Sequence, residues 1–348
     1  MTRTLFLHAG PPKTGSTAIQ TFFRDNAQAF LRQGVFRPIT GTEIHGHLHL
    51  GLVNAFIAGH AAAPATAKLA AELRAHGLPP KVFLSAEMFA ARLASKSYAT
   101  ALKAFCRDLG YRLHVIVFIR PQAPLLNSLF SQHVKNWRLV DSIEAFLATE
   151  TGNFRHHYAA LLRHLLNDLG IDLTVLPFNR ATLSGGLSTA MCQVMELDAA
   201  ATGLVQPDGA NPSPGPRTVA AFQRLRRKVS SEFPGLGQDQ LAPLTRPLLH
   251  AAGALGWNAE NFGGFSPSQT RWIIECFKSD NDALAQRVWS KPWDQVFSEA
   301  ETLSPPFNIF SPADAPPPQR IEFRGFINQS MATIAEFGST HHGHGKRM

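Results

Sequence analysis

Short apolar segments alternate with amphipathic helical segments in the first half of the chain, and this alternation constrains the fold more than any other feature. The strand candidates are residues 3–8, "KVFLS" (81–85), "HVIVFI" (114–119) and "LTVLPF" (173–178). Helices are predicted between them at 17–33, 65–76, 97–109 and 155–169. Strands that alternate with helices form parallel sheets covered by helices. We therefore expect an α/β fold with a mainly parallel central sheet flanked by helices.

The second half of the chain has a different pattern, with helices joined by turns rich in proline and glycine. Helices are predicted at 216–232, 239–255 and 267–289, and residues 302–320 are proline-rich without a clear period. We expect one α/β domain over residues 1–300, whose helical part at about 200–300 covers the cofactor and acceptor. A proline-rich extension and mobile tail, 301–348, would follow it.

Composition narrows the kinds of partner. No apolar run of this chain approaches the roughly 20 residues of a membrane span, and the first residues do not resemble a signal peptide, so we expect a cytoplasmic protein. The formal net charge of +8 favours anionic ligands. The basic residues are scattered apart from "RLRRK" (224–228), which suits a solvated helix face. A nucleic-acid partner is not expected.

Polar residues follow three of the predicted strands. These are the loop at 10–17, Glu87 after "VFLSA", and Arg120 after "VIVFI". Ligands of open parallel sheets collect outside the carboxyl ends of the strands. The three strand ends are therefore predicted to form one ligand site.

The loop "GPPKTGST" (10–17) joins the first strand to a helix, where unpaired N–H groups and the helix dipole favour an anion such as phosphate. The common P-loop has its lysine after the second glycine, whereas Lys13 precedes Gly15. A nucleotide triphosphatase also needs an acidic residue at a neighbouring strand end to hold Mg²⁺, and here Arg120 stands there. This pattern favours a phosphorylated ligand bound without a metal.

Two segments resemble motifs of a known family. "PPKTGSTAIQ" (11–20) is similar to the 5′-phosphosulfate loop of sulfotransferases. "VIVFIRPQAPLLNSLFSQHVK" (115–135) resembles their 3′-phosphate motif, an arginine at a strand end followed by a serine on the next helix. The resemblance is closest to bacterial sulfotransferases and extends over about residues 3–290. It implies a P-loop NTPase-like α/β fold and 3′-phosphoadenosine 5′-phosphosulfate (PAPS) as the donor, with no metal.

The resemblance also implies roles for individual residues. Lys13 would stabilise charge on the departing 5′-phosphate, and Arg120 with Ser128 would bind the 3′-phosphate. The rest of the loop would hold the 5′-phosphosulfate oxygens through backbone N–H groups and hydroxyls: Thr14, Gly15, Ser16 and Thr17. Two structural alternatives stay open, an ordinary helix N-cap with an exposed Lys13, and an Arg120 that serves as an ion-pair partner. Ala18 replaces an aromatic residue of better-known members, so adenine stacking is not expected there.

An acceptor hydroxyl must lose a proton as it attacks sulfur, which calls for a general base. Glu87 is the candidate, although it could instead orient Lys13 or cap the next helix. The main alternative source of the base is the histidine-rich segment "EIHGHLH" (43–49), through His45 or His47. We expect this segment either to line the acceptor pocket or to form a surface loop. Its alternate spacing does not suit a helical metal pair. His8 is a further candidate, although a near-core position suits it better.

Together these features predict a PAPS-dependent sulfotransferase that modifies a hydroxyl of a carbohydrate or a glycosylated small molecule. Two alternatives remain from the sequence. A kinase of the P-loop class would use ATP and Mg²⁺. A non-catalytic nucleotide- or glycan-binding module would keep the phosphate loop without a functional base.

Overall fold

The computed structural model describes residues 2–43, 46–57, 63–139, 142–167, 169–200, 204–205 and 213–342. The chain forms two compact units. The sheet unit comprises residues Met1–Pro121, Asn153–Ala210 and Phe277–Glu301, and the helical unit comprises Gln122–Gly152, Asn211–Cys276 and Thr302–Met348. The predicted chain division at residue 300 stays a prediction.

The sheet unit contains a parallel sheet. Its strands are β1 (Arg3–His8), β2 (Val35–Phe36), β3 (Lys81–Ser85), β4 (Tyr111–Ile119) and β5 (Asp172–Pro177), in the order β2-β3-β1-β4-β5. Every pairing between these strands is parallel. β1 therefore lies between β3 and β4, which brings the polar residues after all three strands to the same edge of the sheet.

Helices account for most of the remaining described chain. They are α1 (Ser16–Asp25), α2 (Ala27–Arg32), α3 (Ala63–Ala75), α4 (Met88–Leu93), α5 (Lys96–Asp108), α6 (Gln122–Lys135), α7 (Ile143–Thr151), α8 (Tyr158–Asn167), α9 (Leu187–Val194), α10 (Pro216–Glu232), α11 (Gln238–Ala254), α12 (Pro267–Trp289), α13 (Trp293–Val296), α14 (Glu299–Thr302) and α15 (Pro317–His342). The predicted fold class is confirmed: a parallel sheet is flanked by helices, and the C-terminal region is helical. The loop from β1 to α1 gives the strand–loop–helix order of a P-loop protein. Within the described ranges, no helix has the length and apolar character to cross a membrane.

A cluster of aromatic side chains fixes α1 and α2 against the sheet. Phe23 stacks on Phe83 of β3 with 4.0 Å between ring centroids and on Phe30 of α2 with 4.7 Å. Phe22 meets Phe30 edge-on, and all four rings are buried. Because these rings follow the loop by only a few residues, their packing sets the direction in which the N-terminus of α1 points.

The structure corrects one predicted helix. Residues 17–33 form two helices, because the Asn26 amide donates hydrogen bonds at 2.8 Å to the carbonyls of Phe22 and Val205. Asparagine competes in this way with the helical backbone.

A second difference lies in the proline-rich region, for which the sequence predicted no helix. Helix α15 begins at Pro317, and prolines are tolerated in the first turn of a helix since no intrahelical donor is lost there. Its apolar residues Phe323, Phe326, Ile327 and Ile334 are buried. The prolines that suggested an extended segment therefore lead into a packed helix.

Candidate functional site

The phosphate loop lies between β1 and α1, and its backbone is shaped by two residues with positive φ. Gly15 is the N-cap residue of α1 with φ 78°, and Lys13 has φ 67°. No side chain caps α1, and its first turn contains no acidic residue. The positive end of the helix dipole is thus left uncompensated by the loop itself, which favours a bound anion.

The loop side chains divide into those that support the loop and those that face its interior. The buried Thr14 hydroxyl donates a hydrogen bond to the carbonyl of Pro11 at 2.8 Å, which closes the turn. Thr17 is exposed, whereas Ser16 is buried. A Cβ atom at Gly10 would lie 3.3 Å from His8 Nε2 and 3.7 Å from Ser16 Oγ. Gly10 therefore leaves a cradle on which the His8 ring and the Ser16 hydroxyl converge.

His8 is held by a hydrogen-bond network beneath the loop. His8 and Ser85 are register partners in β1 and β3, and His8 Nδ1 lies 2.8 Å from Ser85 Oγ. Gln20 Nε2 of α1 donates to the same hydroxyl at 3.2 Å. The Ser85 hydroxyl accepts from Gln20, and when it gives its own proton to His8 Nδ1, the His8 proton lies on Nε2 and can be donated to a ligand.

Two polar atoms at the cradle, His8 Nε2 and Ser16 Oγ, have no hydrogen-bond partner in the described part of the chain. Burial lowers the pKa of His8 to about 4, so the ring is neutral at physiological pH. Buried polar groups are almost always hydrogen-bonded, and an unpaired one costs stability. These atoms fit a ligand that accepts hydrogen bonds, such as a phosphate or a phosphosulfate.

Glu87 lies between β3 and α4, where it is half-buried close to the loop. Burial raises the pKa of its carboxyl group, while the nearby Ser16 hydroxyl and the Lys13 ammonium act in the opposite direction. Ser16 favours the carboxylate through its dipole, but the pair lacks hydrogen-bond geometry. The Glu87 side chain does not cap α4. The capping alternative is therefore wrong, while the roles of base and of partner to Lys13 both stay open.

Arg120 reaches from the end of β4 to the loop. Its Nη1 donates a hydrogen bond to the Lys13 carbonyl at 3.1 Å, and its guanidinium lies 5.7 Å from the centroid of the Phe178 ring. The Tyr158 hydroxyl donates to the Arg120 carbonyl at 2.7 Å. Burial lowers the pKa of the guanidinium, which nevertheless stays charged. Arg120 forms no ion pair with any described carboxylate, so the ion-pair alternative is not supported.

The remaining predicted residues are Ser128, His45 and His47. Ser128 lies half-buried on α6 of the helical unit, where its carbonyl accepts a hydrogen bond from Ser131 Oγ at 3.0 Å. His45, which the sequence offered as an alternative base, falls outside the described residues. His47 contacts Thr21 and Arg24 of α1.

His49 corrects the prediction for the histidine-rich segment, which placed it at the acceptor pocket or on the surface. It is fully buried, its Nδ1 accepts a hydrogen bond from the Ser85 backbone at 3.1 Å, and its Nε2 lies 2.9 Å from the Pro38 carbonyl. Burial lowers the pKa of His49 to about 4. A neutral ring with both nitrogens engaged supports β3 and does not serve as a base.

Sequence reasoning missed the residues that hold the site from behind. Ser85 and Gln20 position His8, and Tyr158 and Phe178 contact Arg120. The position of Ser85 could have indicated its role, because it is a polar residue at the end of the apolar run of β3. Over the described ranges, no cluster of three or more histidine, cysteine or acidic side chains is arranged to hold a metal ion.

No protein-family model matches the chain, and no curated protein matches it by sequence. Among solved structures, it is similar to a sulfotransferase domain from the curacin biosynthetic pathway, with 11% identity, a TM-score of 0.35, and coverage of 61% of this chain and 79% of that chain. It is also similar to a structure from the PezAT chromosomal toxin–antitoxin system of Streptococcus pneumoniae, with 13% identity, a TM-score of 0.26, and coverage of 66% and 87%. Similarity at this level carries no functional argument, so function is argued from the site residues.

Proposed function

We propose that the protein is a sulfotransferase that moves a sulfuryl group from PAPS to a hydroxyl acceptor. The observation that carries the proposal is Arg120, a half-buried cation with no described carboxylate partner, which is hydrogen-bonded to Lys13 in the phosphate loop. A cation that contacts a loop with unpartnered donors needs an anion as its ligand. Lys13 and Arg120 are two separate cations. They suit a sulfuryl donor such as PAPS, which carries phosphate groups at two positions, 5′ and 3′.

Individual atoms of this chain would hold the donor, which supplies the sulfuryl group as an activated phosphosulfate. The N-terminus of α1, the Ser16 hydroxyl and the His8 Nε2–H group would donate hydrogen bonds to the 5′-phosphosulfate oxygens. Arg120 would bind the 3′-phosphate through its remaining N–H donors, with Ser128 as a further donor from α6. Thr14 and Gly15 would keep the loop in shape, and the exposed Thr17 hydroxyl would contact the outer oxygens.

In the transfer step the oxygen of the acceptor hydroxyl attacks sulfur, and the bond from sulfur to the 5′-phosphate oxygen breaks. Glu87 would take the hydroxyl proton, since its raised pKa makes it a better base near neutral pH than an ordinary carboxylate. The Lys13 ammonium would neutralise the charge that develops on the leaving phosphate. The half-buried setting of Glu87 supports this arrangement because burial strengthens its electrostatic interaction with Lys13.

A carbohydrate or glycosylated acceptor, a cytoplasmic location and the absence of a nucleic-acid partner belong to the same proposal. They rest on the sequence resemblance and composition. A kinase of the P-loop class is less well supported, because Arg120 stands at the strand end where a carboxylate would hold Mg²⁺.

Calorimetric titration with adenosine 3′,5′-bisphosphate and with ATP plus Mg²⁺ tests the donor site. We expect the bisphosphate to bind without a metal, and Arg120→Ala to weaken this binding by about tenfold to a hundredfold. The matched control is Arg107→Ala, an exposed arginine of α5 that pairs with Asp108. A clear preference for ATP plus Mg²⁺ would overturn the sulfotransferase proposal in favour of a kinase.

A further inference from the structure

A basic groove lies between α10 and α15 of the helical unit, and none of the residues assigned above lines it. Its volume is about 590 Å³. It is lined by Ala220, Gln223, Arg224, Arg227, Lys228, Phe310, Pro312, Arg320, Phe323, Arg324, Ile327 and Asn328. Among these described lining residues five are cations and none is acidic. The cluster "RLRRK" therefore forms one wall of a groove whose other wall is also basic.

This arrangement places like charges together on both helices. Arg224 and Lys228 are four residues apart on α10, and Arg320 and Arg324 are four residues apart on α15. Like charges at this spacing destabilise a helix, and the groove brings the two pairs onto one cavity. Lys228 is compensated by Glu232 at 3.0 Å, whereas the arginines of the groove form no ion pair with the described acidic residues. An anion bound between the two helices would relieve the repulsion among these exposed arginines.

We propose that the basic groove binds a small molecule that carries two or more phosphate or sulfate groups. Arginine suits such groups because its planar donors bind two oxygens of one anion. The groove volume falls in the range of small-molecule sites, which run from about 300 to 1,000 Å³. Phe323 and Ile327 are buried at its base, and the Phe310 ring lies 5.2 Å from Phe323. An apolar base beneath a ring of cations fits a compact ligand with an uncharged core.

The last residues, 343–348, read "GHGKRM" and add further positive charge. A nucleic-acid strand is also disfavoured, since bases stack on exposed aromatic faces, while Phe323 is only 6% exposed and the ring of the half-buried Phe310 has the Arg217 guanidinium 5.6 Å from its centroid. The proposal that the groove binds a small polyanion does not depend on the proposed sulfuryl transfer, because the groove shares no residue with the phosphate loop.

The test uses two probes that separate the sources of the anionic groups, inorganic tripolyphosphate and a trisulfated disaccharide. Binding is measured by titration calorimetry at about 150 mM salt, where long-range charge effects are screened. Hydrogen exchange then locates the site, and we expect protection in the peptides that cover 216–232 and 317–339. Protection of the phosphate loop alone would overturn the proposal.

Neutral variants test the contribution of the arginines. Arg224→Gln combined with Arg320→Gln is expected to weaken binding by about tenfold or more, and each single variant by less. Arg271→Gln, which removes an exposed arginine of α12 outside the groove, is the matched control and should leave affinity unchanged. Arg120→Ala should also leave groove binding unchanged, which separates this site from the donor site.

The outcomes are distinct. Loss in the double variant but not in the control supports the proposal, and the stronger of the two probes identifies phosphate or sulfate chemistry. An equal loss of affinity in Arg271→Gln contradicts the proposal. So does binding of a single-stranded oligonucleotide when neither tripolyphosphate nor the trisulfated disaccharide binds. The side chains of Arg224, Arg320 and Arg271 are exposed, so the fold is expected to persist, and circular dichroism checks this for each variant.

Discussion

The guanidinium of Arg120 donates a hydrogen bond to the backbone carbonyl of Lys13 at 3.1 Å, across 107 residues of sequence. This bond ties the end of β4 to the phosphate loop after β1. The arginine has further N–H groups that this bond does not use. One side chain can therefore hold the loop in place and bind an anion at the same time.

The geometry of Arg120 predicts that charge alone does not replace it. Arg120→Lys keeps the positive charge but loses the planar donors, so the affinity for adenosine 3′,5′-bisphosphate should fall by about tenfold. Titration calorimetry measures this affinity. Arg112→Lys, an exposed position on β4 that pairs with Asp172, serves as the control. Full affinity in Arg120→Lys would show that Arg120 acts only as a point charge.

His8 is predicted to donate a hydrogen bond to the bound nucleotide, PAPS or adenosine 3′,5′-bisphosphate. Two variants distinguish the roles of its ring nitrogens Nδ1 and Nε2. His8→Asn keeps a polar group near Nδ1 for Ser85 but loses the donor at Nε2. His8→Gln keeps a donor near Nε2 and loses the contact with Ser85. We expect His8→Asn to weaken bisphosphate binding by about tenfold and His8→Gln to weaken it less. Thermal unfolding of both variants without ligand separates this effect from a loss of stability, and the reverse order of affinities would contradict the prediction.

The dependence of the transfer rate on pH distinguishes Glu87 from a histidine as the general base. Burial raises the pKa of Glu87 above its ordinary value of 4.5, so the rate should fall as the pH drops through this raised pKa. His8 and His49, with pKa values of about 4, add no limb between pH 5 and 8. Glu87→Gln should lower turnover by about 10²- to 10⁴-fold and leave bisphosphate affinity intact. An acid limb that persists in the residual activity of Glu87→Gln would assign the base elsewhere.

Glu87 also predicts a dependence of stability on pH. Because the folded state raises its pKa, the folded protein binds this proton more tightly than the unfolded chain, and ionised Glu87 costs stability above the folded pKa. Glu87→Gln should therefore raise the melting temperature at pH 7. The difference should shrink as the pH falls through the raised pKa towards 4.5. A lower melting temperature for Glu87→Gln at pH 7 would show that the contact with Lys13 outweighs the cost of burial.

Gly15 is predicted to tolerate no side chain. Its φ is 78°, and a Cβ atom there would lie 2.3 Å from Leu187 Cδ2. Gly15→Ala should lower the free energy of unfolding by about 2–4 kcal/mol, since overpacking adds to the cost of the backbone conformation. Gly77→Ala is the matched control, because Gly77 has φ 68° with no heavy atom within 4 Å of the added Cβ. Denaturant titration should show a smaller loss for Gly77→Ala and partial rescue of Gly15→Ala by Leu187→Ala.

The sequence was sufficient to predict the strand–loop–helix segment and four of the five strands, because these depend on local patterns, whereas the two-residue strand β2 is too short to show one. Apolar runs such as "KVFLS" end at polar residues, and Gly10 with Pro11 and Pro12 marks the turn after β1. The expected meeting of the loop, Glu87 and Arg120 also follows from a parallel sheet in which β3 and β4 flank β1.

The remaining features depend on contacts between distant parts of the chain. The partnership of His8 with Ser85 requires the register of β1 and β3, which local patterns do not contain. The burial of His49 depends on its hydrogen bonds to Ser85 and Pro38. The basic groove appears only when α15, an unpredicted helix, faces α10.

Direct observation of sulfuryl transfer is the measurement that tests the central claim. The wild-type protein is mixed with PAPS labelled in its sulfuryl group and with a panel of carbohydrate and glycosylated acceptors, and the label is followed. We predict label on a hydroxyl acceptor with the wild type and at least about 100-fold less with Glu87→Gln, although both proteins bind adenosine 3′,5′-bisphosphate. Equal absence of transfer in both proteins across the panel, with bisphosphate still bound, would contradict the account and identify a nucleotide-binding module.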